Sequence, residues 1–160
     1  MIKRVVFLLV TVGILLTFTS CSSEPSLLSY CEMRMPLGEG FYQTEDENFD
    51  VVYSNGKYLI AVLRISFVAA VSEGIAETMT PYEFGEFWIE KCQRDANLIN
   101  DGAVYCEYYG NSEDKEQFYL EAFYRSQYAY FVVLFASDSE AEDVGRVEFL
   151  NYAESIYFTD

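Results

Sequence analysis

Histidine is missing from all 160 residues of this sequence. With it go the Ser-His-Asp and Cys-His arrangements that activate a hydroxyl or thiol nucleophile. The imidazole ligands used by most zinc and copper sites go as well. The sequence has no Gly-rich phosphate loop and no Gly-x-Ser-x-Gly elbow. Basic residues are scarce: ten Lys and Arg face 26 Asp and Glu, a net charge of −16. Nucleic acid is gripped by clustered Lys and Arg, and anionic lipid headgroups are gripped in the same way. Neither is therefore an expected partner, and neither a metal nor a cofactor is expected. Proline occurs three times, and there is no internal repeat and no low-complexity linker beyond Pro25.

The N-terminus holds the clearest signal. Met1-Ile2-Lys3-Arg4 is basic, Val5 to Leu16 is apolar, and Thr17-Phe18-Thr19-Ser20-Cys21 follows. A basic start, a short apolar stretch and small residues at the cut site make a secretory signal over residues 1–20. The apolar run is shorter than the roughly 20 residues that span a bilayer. Phe18-Thr19-Ser20-Cys21 resembles a bacterial lipobox, with Phe18 in the place usually held by Leu. That resemblance implies diacylglycerol on the Cys21 thiol and cleavage just before it. Two acyl chains hold a protein stably on a membrane, at about 0.8 kcal/mol per buried CH₂. The alternative is plain secretion, with Cys21 free to pair with another cysteine. Residues 21–28 read as the tether and 29–160 as a single domain. Two of the ten basic residues lie in the signal, so eight remain against 26 acids, a formal charge of −18. A solvated acidic surface explains this charge more simply than a cationic ligand does.

The domain alternates early. Cys31, Met33 and Met35 fall on one side of a strand over 29–35, and Tyr30, Glu32 and Arg34 on the other. Cys31 is therefore expected to be a buried thiol. A hairpin follows, with arms 50–53 and 58–65 around Asn55-Gly56, a pair that suits a type I′ turn. Thr80-Pro81-Tyr82-Glu83 predicts a helix start with a capping box. Phe84, Trp88 and Cys92 continue it as one apolar stripe to about Ala96. Strands are predicted at 103–109, 117–124 and 128–136. A last helix is expected from Asp138-Ser139, with a stripe of Ala141, Val144, Phe149, Tyr152, Ala153 and Ile156, and a short terminal strand at 157–158. The order is β, ββ, α, βββ, α. Strands that are apolar on both faces need cover on both sides. The predicted class is therefore α+β: a mainly antiparallel sheet of about six strands covered by two helices.

The stretch from Glu121 to Ala136, the terminal Ile156-Tyr157-Phe158, and Pro36-Leu37-Gly38-Glu39-Gly40-Phe41 resemble the PsbP-like fold. Lipoproteins of Gram-positive gut bacteria share it. The resemblance runs from Met35 to Asp160. It implies an α/β/α sandwich that works as a binding or assembly module, and it carries over no functional residue.

Among possible reaction centres, Glu45-Asp46-Glu47-Asn48-Phe49-Asp50 lacks the turn glycine of an EF-hand loop and reads as a solvated loop. Glu113 to Glu116 reads as a charged hairpin tip. Glu107 and Glu121 sit inside strand patterns and are the best candidates among the acids for unusual pKa values, but the favoured expectation is that they pair with Arg64 or Arg125 or point to solvent. Cys92 and Cys106 are candidates for a disulfide across one helix-to-strand connection, since such bonds persist outside the cytosol. The alternative is that both are small buried apolar side chains. The leading expectation is a non-catalytic binding or assembly module on the outer face of the cell membrane, with its ligand undefined. The other is a carboxylate-dependent hydrolase of an envelope glycan or peptide, which needs a cleft with two acids.

Overall fold

The computed structural model describes residues 27–112 and 115–160. The signal sequence, Cys21 and most of the tether lie outside the described residues, as do Glu113 and Asp114.

Two strands open the fold, β1 (Leu27–Tyr30) and β2 (Met33–Pro36). They form an antiparallel hairpin where a single strand was expected. The reason is Cys31, whose φ of 49° puts it in the left-handed region and reverses the chain. Met33 and Met35 are buried as their alternation requires, but Cys31 sits on the turn and is exposed. The expected buried thiol is thus corrected.

Next come β3 (Tyr42–Thr44), β4 (Val51–Ser54) and β5 (Tyr58–Ser66). Asn55-Gly56 joins β4 to β5 as predicted, though only Gly56 has a positive φ, at 80°. Asn55 instead accepts hydrogen bonds through Oδ1 from the amides of Lys57 and Tyr58, at 3.0 and 2.7 Å. Its side chain thus closes the turn without a left-handed backbone. Short helix α1 (Phe67–Ser72) was not anticipated and is capped by Ser66. Helix α2 (Pro81–Lys91) has both bonds of the Thr80–Glu83 capping box and Pro81 at its first position. It stops five residues before Ala96. Cys92 is its C-cap, and Gln93 turns left-handed at φ 53°.

The remaining strands are β6 (Leu98–Asp101), β7 (Ala103–Ser112), β8 (Lys115–Arg125) and β9 (Ala129–Asp138). A 3₁₀ turn over Ser139–Ala141 leads into α3 (Glu142–Ser155), and β10 (Tyr157–Phe158) ends the chain as predicted. The helix start expected at Asp138-Ser139 is this 3₁₀ turn, and α3 has no side-chain cap.

The large sheet has the antiparallel order β3-β4-β5-β9-β8-β7-β6, and β1-β2-β10 form a second small one. The α+β class read from the sequence is the one observed, with ten strands and three helices among the described residues. One face of the large sheet presents Ile60, Val62, Phe131, Val133, Phe135, Phe118 and Leu120. Phe149 and Ala153 of α3 cover it, together with Leu28, Met33 and Met35 of the small sheet. The opposite face presents Cys106, Phe123, Tyr130 and Val132 under Ala70 of α1 and Phe84 and Trp88 of α2. This two-sided cover explains why Phe118–Tyr124 of β8, Glu121 apart, and Ala129–Ala136 of β9 are apolar on both faces. Phe84 stacks on Tyr130 at 4.5 Å between ring centroids. Tyr130 Oη donates to the carbonyl oxygens of Ala76 and Met79, which fixes the α1–α2 loop.

Helix α3 is rotated from its expected stripe. Gly145, Phe149 and Ala153 are buried, and Val144 is 55 % exposed. A Cβ on Gly145 would lie 3.0 Å from Ser137 Oγ, so the glycine lets the helix approach β9 closely.

Candidate functional site

The two sheets meet at one end of the molecule, where a carboxylate closes the seam. Glu32 follows Cys31 in the β1–β2 turn, and its side chain is 9 % exposed. Ser126 Oγ, in the β8–β9 turn, donates to Glu32 Oε1 at 2.6 Å. Arg64 of β5 donates from Nε and Nη2 at 3.2 and 3.4 Å. The Thr159 amide, just past β10, donates to the Glu32 carbonyl at 2.8 Å. One residue therefore ties together β5, the β8–β9 turn and the chain after β10. Burial alone would raise the Glu32 pKa. The hydrogen bonds from Ser126, the backbone and Arg64 outweigh burial and hold it below its ordinary value. Ser126 is as constrained as its partner: Oγ accepts from the amides of Tyr128 and Ala129 at 3.1 and 3.0 Å.

A cleft of 280 Å³ opens beside Glu32, walled by residues 125–128 and 158–160. Gln127 Nε2 donates to Asp160 Oδ1 at 2.9 Å across it. Arg125 donates from Nε and Nη2 to the Glu77 carbonyl, at 3.2 and 3.0 Å, and lies 5.0 Å above the Phe67 ring. The Tyr128 ring is 56 % exposed. Nothing in the sequence singled out this place. Its residues come from three distant segments, joined only when the hairpins dock.

The two acids singled out in the sequence lie elsewhere, on opposite faces of the large sheet. Glu107 accepts from Arg146 of α3 at 3.0 Å, and Arg146 also donates to Glu142 at 2.6 Å. Glu121 pairs with neither Arg64 nor Arg125. It lies under α2, 3 % exposed, with Arg94 Nε at 3.6 Å. Burial raises its pKa, although Arg94, Trp88 and Tyr108 oppose the rise. Trp88 Nε1, Arg94 Nε and Glu121 Oε2 are all buried without a hydrogen bond of ordinary geometry. The Arg94 guanidinium lies 4.7 Å above the Tyr108 ring, which stacks on Tyr119.

Cys92 and Cys106 pack in this same layer, and both are free thiols in the structure. Burial, reinforced by the Glu121 charge, pushes their pKa values up to about 11 and about 12. Among the described residues, no group of three Cys, Asp or Glu side chains is placed to hold a metal. No helix among them is long and apolar enough to cross a membrane.

No protein-family model matches this chain, and no curated protein does. Solved structures do. A Bacteroides thetaiotaomicron protein superposes with TM-score 0.57 at 10 % identity, over 86 % of this chain and 50 % of that one. The chain thus spans about half the length of that protein, and the likeness is one of fold. The cyanobacterial PsbP of Synechocystis matches at TM-score 0.48 and 14 % identity, over 88 % of this chain and 98 % of its own. LpqN of Mycobacterium tuberculosis, described as involved in cell envelope biogenesis, matches at TM-score 0.42 and 12 % identity, over 80 % and 83 %. At those scores the last two add no weight to the fold, which rests on the sheet order itself.

Proposed function

We propose that this chain is an extracytoplasmic binding or assembly module, held on the outer face of a membrane by lipid on Cys21, with the cleft beside Glu32 at its binding end. The observation that carries the binding reading is how the acids are engaged. Glu32 is held below its ordinary pKa by Ser126 and Arg64, and Glu107 is paired with Arg146. Glu121 has a raised pKa but lies beneath α2 and away from the cleft. A hydrolase needs one acid that keeps its proton and faces the substrate. The tether reading rests on Lys3-Arg4, the apolar run and Cys21. The geometry is compatible with it. β1 runs from Leu27 towards the Cys31–Glu32 turn, so the tether would join the fold at the end of the hairpin that does not carry Glu32. Metabolic labelling with a radioactive fatty acid tests the anchor. Label is expected on the parent chain and not on Cys21→Ser, and equal labelling of both would refute it.

A further inference from the structure

We infer that the outer face of the small sheet β1-β2-β10 lies on the headgroup region of a lipid bilayer, an inference that rests on the reading of Cys21 as the anchor. The register fixes that face. Leu27 stands opposite Pro36, Ser29 opposite Arg34, and Arg34 opposite Tyr157. Directly paired residues share a face, and so do residues two apart along one strand. These five therefore point one way, while Leu28, Met33 and Met35 point the other way, into the core. The outward set is open. Leu27 is 40 % and Tyr157 48 % exposed, Ser29 and Pro36 are exposed, and Arg34 is half-buried.

The chemistry of this face departs from that of the chain. Against a net charge of −16, none of the residues in β1, β2 and β10 is acidic. The face carries one cation. Arg34 donates from Nη1 to the carbonyl oxygens of Cys31 and Met33, at 2.6 and 2.8 Å, and is in no ion pair among the described residues. An acidic surface is repelled by lipid phosphates, so the acid-free side is the one that can approach them. Leu27 and Pro36 supply apolar contact at one end of the face, and Tyr157 pairs with Arg34 further along it. Such a set suits the headgroup level, where a tyrosine ring keeps its polar tip wet and a guanidinium stays at the interface. Cys21 precedes Leu27 by six residues. Fully extended, that length reaches about 20 Å, so lipid on Cys21 keeps the start of β1 within that distance of the bilayer. The outward side chains run along the hairpin instead of gathering at Leu27, which favours a sheet lying flat on the bilayer over one standing on its end. Little apolar area is offered, so the contact orients an anchored chain and does not recruit a free one.

Fluorescence quenching tests this on the full chain, extracted with its lipid and reconstituted in phosphatidylcholine vesicles. Cys31→Ser removes the exposed thiol. A fluorophore is then placed on Ser29→Cys or, as the control, on Glu86→Cys, an exposed position of α2, which covers the opposite face of the large sheet. A lipid with a nitroxide near its headgroup is expected to quench the label at position 29 at least twice as strongly as the label at position 86. Leu27→Ser combined with Tyr157→Ser should reduce that quenching by at least half, while the N-terminal peptide keeps the mass of its lipid. Both side chains are exposed, so the fold survives their replacement. Equal quenching at the two positions, on a chain whose N-terminal peptide carries lipid, would overturn the docking and leave the anchor standing. Shielding of position 29 from iodide without nitroxide quenching would put a protein, such as a second copy, on this face and would overturn the docking as well. An N-terminal peptide without lipid would remove the anchor and this inference with it.

Discussion

Glu121 is a buried acid without an ordinary hydrogen bond at Oε2. Its carboxylate is buried beneath α2, with its nearest guanidinium nitrogen 3.6 Å away. An acid whose folded pKa is raised above 4.5 holds its proton more tightly in the native state than in the unfolded one. Between the two pKa values the native state binds more protons, so stability falls as pH rises through that window. Glu121→Gln removes the term. The variant should therefore gain stability relative to the parent as pH is raised from about 4 towards neutral, as measured by urea unfolding at several pH values. A difference that is constant with pH would mean the site tolerates the charge without cost. The cysteines give a second test at this scale. Exposed Cys31 should react at once with a thiol reagent in native Cys21→Ser protein. Cys92 and Cys106, buried and with raised pKa values, should react only after unfolding. Three thiols are expected in denaturant without reductant, and a count of one would show that Cys92 and Cys106 had paired.

Helix α2 is the element the sequence describes best, and it closes one face of the sheet. Trp88 is 7 % exposed and packs with Phe84 against Phe123, Tyr130 and Val132. Trp88→Ala should cost about 3–5 kcal/mol in urea melts. A loss below about 1 kcal/mol would place the indole outside the core. Thr80→Ala breaks the capping box and should cost about 1 kcal/mol, and an unchanged midpoint would show that Pro81 and the helix packing suffice. The start of α2 was legible because caps are local chemistry: Thr80, Pro81 and Glu83 act within one turn. Its end was not. The apolar stripe continues through Cys92 to Ala96, and nothing local marks Gln93 as the left-handed residue that stops it. The β1–β2 turn was hidden for the same reason. Perfect alternation from Cys31 to Met35 reads as one strand, and only docking of Glu32 on Ser126 and Arg64 makes a turn there worthwhile. The cleft was illegible altogether. It joins residues up to 128 positions apart, from Glu32 to Asp160, and no spacing rule spans that distance. Glu121 was marked as unusual from its apolar strand, but its partner Arg94 lies in the loop after α2 and could not be chosen over Arg64 or Arg125.

The large sheet is covered on both faces, which is why the middle of β8 and of β9 is apolar but for Glu121. The full chain carries a net charge of −16, which disfavours association with polyanions by simple repulsion. On the proposed reading, lipid on Cys21 joins the fold ahead of β1, whereas Glu32 and the cleft lie at the turn end of the β1–β2 hairpin. The most direct test is mass spectrometry of the N-terminal peptide of the protein extracted from membranes. The account predicts a chain that begins at Cys21 and carries the mass of a thioether-linked diacylglycerol. A chain that keeps residues 1–20, or one that begins elsewhere with an unmodified Cys21, would contradict it.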